Sequence, residues 1–368
     1  MSKTAKIVLA IVVVVIVVII WIGASQKSAN SGGIKIGAVL PLSGPAASYG
    51  QVAKDGVELA VAKILKTSNV NLKVIYEDSQ FDPKQAVTAI QKLINVDGVK
   101  YVVGFSSGET LAMCPIADEN KVILMTSASS PDITSKCGDY TFRDLPSDTY
   151  QGQVLASDIS AKGYQKVAVF YIDNDYGVGL KNEFVKDFKG TITDVESYEP
   201  NATDFKTQLT KIKASKPDAI MLVSQLPEAA ILLEERTELG LSQPVFGSET
   251  LKDPNLFKTA PASLKNLYIT YISQYNGPEF QNYASSYQQK YGTAFGSYSD
   301  YLYDDVLVLG DAIAKCNGGG NVDCVKEQIY KTNITGATGP INFDGNGDRI
   351  NKDYTLYKVE NNDFVPAD

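Results

Sequence analysis

The sequence of 368 residues contains no histidine. This absence removes the commonest general base, the Ser-His and Cys-His nucleophile systems, and the usual zinc ligand sets. A Gly-x-Gly-x-x-Gly fingerprint is also missing after the first predicted strand, where residues 37–41 read GAVLP. Chemistry that depends on lysine, carboxylates or magnesium remains compatible with the composition. An enzyme, in particular a dehydrogenase, is therefore disfavoured, and we expect no catalysis, no cofactor and no bound metal.

Basic residues are outnumbered, with 34 Lys and Arg against 42 Asp and Glu and a formal net charge of −8 at pH 7. The first 30 residues hold three lysines and no acid, so the rest of the chain is more acidic than this average. Nucleic acids and anionic lipid headgroups both require a basic surface. The charge balance therefore excludes nucleic acid as a partner and argues against adhesion to a lipid surface.

One long apolar run stands at residues 7–22, preceded by two lysines and ending near Trp21. A membrane-spanning helix needs about 20 apolar residues and a signal-peptide core about 7–15, and this run lies between the two. We favour an uncleaved single-pass anchor and tether over residues 1–30, which would hold the binding domain outside the cytoplasm at the cell membrane. Residues 23–25 (GAS) offer a cleavage site, and a secreted or periplasmic protein is the alternative.

All four cysteines follow the apolar run. Cys316 and Cys324 bracket a glycine-rich loop, and Cys114 and Cys137 flank one predicted strand. Two disulfides are expected in an oxidising compartment, with Cys316–Cys324 the safer pair. Four buried free thiols, which would suit a cytosolic protein better, are the alternative.

From residue 34 onward, short β-branched runs alternate with stretches of helical periodicity, which is typical of a parallel βαβ series. A second series of the same kind begins near Asp148. Two such units imply a cleft between them, where ligands collect at the carboxyl ends of the strands. The predicted strands are 34–40, 72–76, 101–104, 122–126, 166–171, 192–198, 219–223, 245–247 and 267–271. The predicted helices are 51–65, one beginning at 82–83, 150–162, 179–188, 205–214, 228–239, 279–291 and 301–315.

Several segments, in order along the chain, resemble the leucine/isoleucine/valine-binding protein family. No single segment is diagnostic, but together they cover almost all of residues 34–360. They are IKIGAVLPLSGPAASYGQVAKDGVELAV (34–61), VVGFSSGETLAMCPIADENKVILMTSASSPDIT (102–134), FRDLPSDTYQG (142–152), VFYIDNDYGVGL (169–180), TDFKTQLTKIKASKPDAIMLVSQLPEAA (203–230) and GPINFDGNGDRI (339–350).

The resemblance implies an α/β fold of the periplasmic binding protein type I class, with two doubly wound parallel-sheet lobes joined by three crossing strands. By this analogy the first lobe comprises residues 34–147 and 273–350, and the second comprises 148–272 and 351–368. Such a Venus-flytrap arrangement closes on its solute and delivers it to the permease and ATPase subunits of an ABC transporter. An amino acid, branched-chain or related, is the implied ligand.

Candidate ligand-binding residues combine local chemistry with positions that match the family. Backbone N–H groups at a strand-to-helix turn, helped by hydroxyl groups, suit the ligand carboxylate; these residues are Ser107, Gly108, Thr110, Ala128 and Ser129. Two acids suit the ammonium group, Asp148 and Glu249. Aromatic and amide side chains would surround the ligand side chain, namely Tyr49, Phe105, Tyr176, Gln225 and Tyr298. Gln225 departs from family members that carry an aromatic residue there, which indicates a ligand more polar than leucine.

Each of these residue types also has an ordinary structural explanation. Serines at such turns cap helices, an acid before a helix is a common N-cap, and most tyrosines are simply half-buried. A ligand-sensing receptor ectodomain for an amino acid, amide or urea-like solute is the alternative function. Only six residues precede the apolar run, which leaves no room there for a cytoplasmic effector.

Overall fold

The computed structural model of the chain describes residues 33–68, 70–350 and 353–367. The predicted anchor and tether over residues 1–30 lie outside these ranges. Within the described ranges, no helix is both long enough and apolar enough to cross a membrane.

A five-stranded sheet forms the centre of the first lobe. Its elements are β1 (Ile34–Leu40), α1 (Ala47–Thr67), β2 (Leu72–Asp78), α2 (Pro83–Asn95), β3 (Tyr101–Gly104), α3 (Ser107–Glu119), β4 (Ile123–Thr126), α4 (Asp132–Lys136) and β5 (Thr141–Arg143). All five strands are parallel, in the order β2-β1-β3-β4-β5. Strands β3 and β4 are buried along their whole length, as expected where helices cover both faces of a parallel sheet.

A seven-stranded sheet forms the centre of the second lobe. Its elements are α5 (Asp148–Ala161), β6 (Lys166–Ile172), α6 (Asp175–Asp187), β7 (Thr191–Tyr198), α7 (Lys206–Ser215), β8 (Ala219–Val223), α8 (Glu228–Glu238), β9 (Val245–Gly247), a 3-10 turn (Glu249–Leu251), α9 (Leu256–Thr259), a second 3-10 turn (Pro261–Ser263) and β10 (Leu267–Ile272). Two later strands complete this sheet, β13 (Tyr354–Glu360) and β14 (Asp363–Pro366). The order is β14-β13-β10-β9-β8-β6-β7, and only the pairings of β13 are antiparallel.

The chain passes three times between the lobes. It leaves the first sheet after β5, returns after β10, and crosses again between the last hairpin of the first lobe and β13. The elements between the second and third passes are α10 (Pro278–Tyr291), α11 (Ser299–Lys315), α12 (Val322–Tyr330), β11 (Ile334–Gly336) and β12 (Gly339–Ile341). Helix α11 packs on α1 and on the first sheet. The first lobe is therefore built from two separate parts of the chain.

Three apolar clusters form the cores of the two lobes. One face of the first sheet packs against α1, α10, α11 and α12, and the other face packs against α2 and α3. A third cluster fills the second lobe. Helices α1 and α11 approach closely at Gly56, where a Cβ atom would lie 2.1 Å from the carbonyl oxygen of Ser299. Only glycine fits this crossing.

Both expected disulfides are present. Cys114 in α3 is bonded to Cys137, which follows α4, at a sequence separation of 23. Cys316 and Cys324 are bonded across the loop between α11 and α12, with a separation of 8. Among the described residues no cysteine is free. The prediction of two disulfides is confirmed, and the alternative of four free thiols is wrong.

Most predicted elements are present, several with the predicted ends. Strands β1, β3, β8 and β9 begin and end where the pattern placed them, and helix α2 begins at Pro83 with Asp82 as its cap. The carboxylate of Asp82 accepts hydrogen bonds from the N–H groups of Lys84 and Gln85. The pattern did not predict α4, β5, α9, α12, the β11–β12 hairpin, β14 or the two 3-10 turns.

Candidate ligand-binding cleft

The largest concentration of candidate residues lines a cavity of about 310 Å³ between the lobes. Its walls come from loops that follow β1, β2, β3 and β4 on one side and β6, β7, β8 and β9 on the other. All eight strands are parallel members of their sheets, and their carboxyl ends face this one space. The location is where doubly wound sheets bind ligands.

The start of helix α3 forms one wall of the cavity. Ser106, Ser107 and Gly108 line it, and the first N–H groups of a helix have no acceptor within the helix. The hydroxyl oxygen of Ser107 accepts a hydrogen bond from the N–H of Ser130 at 3.2 Å. This bond ties the loop after β3 to the loop after β4, which brings Ala128 and Ser129 to the same wall. The arrangement is suited to an anion.

A buried arginine holds the second of these loops in place. The side chain of Arg143 is buried, and its Nη1 donates to the carbonyl oxygens of Ser129 and Ser130 at 3.0 and 2.7 Å. The same guanidinium forms an ion pair with Asp348 at 2.7 Å. Ser129 therefore has a fixed backbone position at the cavity wall.

Two buried carboxyl groups stand on the side of the second lobe. Glu249 begins the 3-10 turn after β9 and is only 4% exposed. Its carboxylate accepts hydrogen bonds from the hydroxyl groups of Tyr176 at 2.9 Å and Tyr298 at 3.4 Å. Asp148, the first residue of α5, is fully buried and accepts a hydrogen bond from the hydroxyl of Ser129 at 3.0 Å. Its other oxygen has no partner among the described residues.

Burial governs the ionisation of both acids. Burial raises the pKa of Asp148 well above its ordinary value, and repulsion from Glu249 raises it further, while the Ser129 hydroxyl and Arg143 oppose the shift. Burial likewise raises the pKa of Glu249, against the hydrogen bonds from its tyrosine partners. A cation placed between the two carboxyl groups would remove this electrostatic cost, so the pair is suited to an ammonium group.

Aromatic rings form the remainder of the wall near Glu249. The rings of Tyr49 and Phe105 lie 6.5 Å apart between centroids, and Phe105 and Tyr298 lie 5.7 Å apart edge to face. The hydroxyl of Tyr49 donates to Asp253 at 3.3 Å, which links the first lobe to the second. Tyr176 is buried beside these rings.

The structure brings most of the candidate residues together. Those that line the cavity are Tyr49, Phe105, Ser107, Gly108, Ala128, Ser129, Tyr176, Gln225, Glu249 and Tyr298. Asp148 lies behind Ser129, one hydrogen bond away from the wall. Thr110 is fully buried in the first turn of α3, and its hydroxyl bonds to Thr126 at 2.6 Å instead of lining the cavity. The ligand roles assigned to all these residues stay predictions.

Sequence reasoning missed a turn that forms part of the wall. Gln80 and Phe81, between β2 and α2, both line the cavity and both adopt positive φ values of 54° and 61°. Such values are uncommon outside glycine and concentrate at functional sites. The side chains of Asp78 and Ser79 accept from the two backbone N–H groups and hold the turn. Nothing in the local sequence signals this conformation.

Two α/β lobes with a cavity between their strand ends define a bilobed solute-binding protein. The comparison of the chain with family models gives the same class. Residues 33–363 match the periplasmic binding protein family, and the chain belongs to this family.

Relatives of named function match nearly the whole chain. A leucine-, isoleucine-, valine-, threonine- and alanine-binding protein of Pseudomonas aeruginosa is 28% identical, over 91% of this chain and 92% of its own length. A leucine-binding protein of Thermotoga maritima has a TM-score of 0.84 and 27% identity, covering 91% of this chain and 98% of its own. A branched-chain amino acid transporter substrate-binding protein of Streptococcus pneumoniae, in complex with isoleucine, has a TM-score of 0.81 and 25% identity. The match covers 91% of this chain and 100% of that protein. The resemblance found in the sequence is confirmed.

Proposed function

We propose that this protein captures an amino acid, branched-chain or related, outside the cytoplasm and delivers it to the permease and ATPase subunits of an ABC transporter. The observation that carries the proposal is a single cavity lined both by the N-terminus of helix α3 and by the buried carboxyl group of Glu249. The first suits a carboxylate and the second suits an ammonium group. The substrates named for the relatives support this choice of ligand class.

The ligand carboxylate is assigned to the wall formed by the loops after β3 and β4. Its donors are the N–H groups of Ser107, Gly108 and Ala128. The hydroxyl of Ser129 joins them once it turns away from Asp148, to which it donates a hydrogen bond. Thr110 acts behind this wall through its bond to Thr126. The positive end of the α3 dipole adds to the attraction of an anion.

The ligand ammonium is assigned to Glu249, with Asp148 contributing charge from behind Ser129. The hydroxyl groups of Tyr176 and Tyr298 donate hydrogen bonds to Glu249. The ligand side chain then extends along Tyr49, Phe105 and Gln225.

Capture depends on closure of the two lobes. Each lobe holds half of the site, so a ligand that bridges them binds the closed form more tightly than the open form. Only that difference in affinity moves the population toward closure. The protein carries out no reaction of its own in this scheme, and ATP hydrolysis by the transporter supplies the energy for transport.

The lobes correspond to residues 34–147 with 273–350 and to residues 148–272 with 351–368. The three chain passes described above connect the two lobes. The apolar run at residues 7–22 is assigned to a single-pass anchor that tethers the lobes to the outer side of the cell membrane. Its 16 residues and the lysines before it support this assignment.

Isothermal titration calorimetry and thermal unfolding of the purified full-length chain test the function. The probes are the standard amino acids, small amides and urea. A true ligand at a hundredfold excess over its dissociation constant stabilises the protein by about 2.7 kcal/mol, which a thermal shift detects. Failure of every amino acid to bind, or a ligand without an amine in the cleft of a soaked crystal, would overturn the proposal.

A further inference from the structure

The charges around the cavity are unevenly distributed. Its lining includes the carboxyl groups of Asp82, Asp175, Glu228 and Glu249, whereas no Lys or Arg is among the described residues that line it. The proposed ligand ammonium accounts for Glu249. Of the other three acids, Asp175 lies beside Gly108, where a Cβ atom would be 3.1 Å from its Oδ2. Glu228 lies elsewhere on the wall, at the start of α8, and would repel an anionic ligand side chain.

Glu228 is the most buried of these three acids. It is the first residue of α8 and is only 5% exposed. One of its oxygens accepts a hydrogen bond at 2.8 Å from the N–H of Asn201, a residue held at a positive φ of 68°. In the described part of the chain no ion pair neutralises this carboxylate. An acid in the first turn of a helix gains from the helix dipole.

The charge of Glu228 acts on groups inside the cleft. Burial raises the pKa of Tyr49, and the carboxylates of Asp253, Glu249 and Glu228 raise it further. Tyr49 belongs to the opposite lobe, so the carboxylate of Glu228 acts across the space that a ligand would fill. The hydrogen bond from the N–H of Asn201 satisfies one oxygen of Glu228, but it does not explain a buried charge at the cavity wall.

Gln225 supplies a second polar group at the same end. It lines the cavity in the loop between β8 and α8, three residues before Glu228. Its side-chain amide has no hydrogen-bond partner within the described ranges. A half-buried amide beside a buried carboxylate costs free energy unless a ligand or water satisfies it.

We propose that Glu228 and Gln225 select an amino acid whose side chain donates hydrogen bonds and carries no negative charge. This inference rests on the proposed function and narrows it, because leucine offers no donor to either residue. A neutral carboxamide and a cationic guanidinium share the required chemistry. The two residues discriminate among side chains, whereas Glu249 recognises the α-amino group common to all of them.

Calorimetric titration of the full-length protein with glutamine, arginine, leucine and glutamate tests the inference. We expect glutamine or arginine to bind at least about tenfold more tightly than leucine, and glutamate to bind more weakly than glutamine. Leucine binding more tightly than both donors would overturn the inference and leave the proposed function intact. Absence of binding by every amino acid would overturn both.

Substitutions assign the selectivity to residues. Glu228→Gln should lower the affinity for the preferred donor at least about tenfold while leucine affinity changes little. A larger loss for arginine than for glutamine identifies the cationic ligand. Gln225→Leu should move the preference toward leucine. Glu234→Gln, on the exposed face of the same helix, is the matched control, and thermal unfolding of each variant shows that it is folded. An unchanged ligand ranking in Glu228→Gln would overturn the inference.

Discussion

Glu249 and Asp148 share one energetic problem, the burial of two carboxyl groups that repel each other. One oxygen of Asp148 also has no partner among the described residues. Hydrogen bonds from Tyr176 and Ser129 offset part of that cost. A ligand ammonium offsets the rest, so the site couples ligand affinity to the charge of two side chains.

Removal of either charge should weaken amino-acid binding strongly. Loss of one partner of a buried charge pair costs about 3–5 kcal/mol, and we expect Glu249→Gln to lower affinity by at least a hundredfold. Asp148→Asn should cause a smaller loss because Asp148 lies behind the wall. Calorimetry measures the ligand affinity of both variants. Glu119→Gln, at the exposed end of α3, is the control. Unchanged affinity in both variants would contradict the assignment of the ammonium site.

The free protein should lose stability as the pH rises. The folded-state pKa values of Asp148 and Glu249 are raised, chiefly by burial, and burial raises the pKa of Asp300 to about 7. Groups with raised pKa values stabilise the folded state fully below their unfolded pKa of about 4, and that contribution disappears as the pH passes the folded value. Melting temperatures should therefore fall as the pH rises from about 4 to about 7.

Ligand affinity should move in the opposite direction over the same range. An ammonium group binds the ionised carboxyl pair, so ligand binding releases protons from the free site. Titrations in buffers of different ionisation enthalpy count these protons. The Asp148→Asn variant should release fewer protons on ligand binding. A ligand affinity that falls as the pH rises would contradict the coupling.

For individual residues, the sequence indicated the chemical groups suited to a ligand better than it indicated where those groups lie. Acids and aromatic residues at loop positions after strands were recognisable as ligand-binding candidates. Gln80 and Phe81 were not recognisable, because their place in the wall depends on positive φ values that the local residue types do not predict. Glu228 was not recognised because its burial depends on the turn that contains Asn201, in a different loop.

Among the secondary-structure elements, long periodic segments were predictable and short ones were not. Strand β1 and helix α11 follow clear apolar patterns. Strand β5 has only three residues, including Arg143, and its burial depends on the ion pair with Asp348, far along the chain. The β11–β12 hairpin is held by Asp304, whose carboxylate accepts from the N–H groups of Ala337 and Thr338. Such tertiary contacts override local propensity.

The two disulfides should differ in their effect on stability. Each restrains the unfolded chain, and the restraint grows with the length of the loop that it closes. The Cys114–Cys137 loop is longer than the Cys316–Cys324 loop. We expect paired Cys→Ala substitutions to cost about 3.5 and about 2.5 kcal/mol respectively, measured by denaturant unfolding. Cys114 is also fully buried, so an equal or smaller loss at this pair would contradict the argument.

The lobes of the whole molecule touch at the mouth of the cleft. Gly179 in α6 faces the loop that precedes α4, and a Cβ atom there would lie 2.9 Å from Cδ of Pro131 and 3.1 Å from the hydroxyl oxygen of Ser130. Glycine therefore permits the approach of the two lobes at this point. The contact lies outside the cavity lining, so closure and ligand contacts can be tested separately.

Gly179→Leu should weaken ligand binding without contact to the ligand. The added side chain opposes closure by about 1–3 kcal/mol, the usual cost of overpacking, which corresponds to about 5- to 150-fold in affinity. The free protein should not be destabilised, because leucine favours a helix more than glycine does. Calorimetry measures the ligand affinity, and small-angle X-ray scattering measures how far the two lobes close. Gly345→Leu, at a turn with open space, is the control, and equal affinities in the two variants would contradict this role.

The three passes of the chain have a consequence for biosynthesis. Strands of the first sheet are made early, but three of the four helices that cover one of its faces, α10 to α12, follow the entire central segment of the second lobe. A nascent chain therefore carries a sheet whose apolar face is only partly covered, by α1, until its last part leaves the ribosome. We expect this protein to depend on a chaperone that holds it unfolded until export, and any truncation before residue 278 to aggregate.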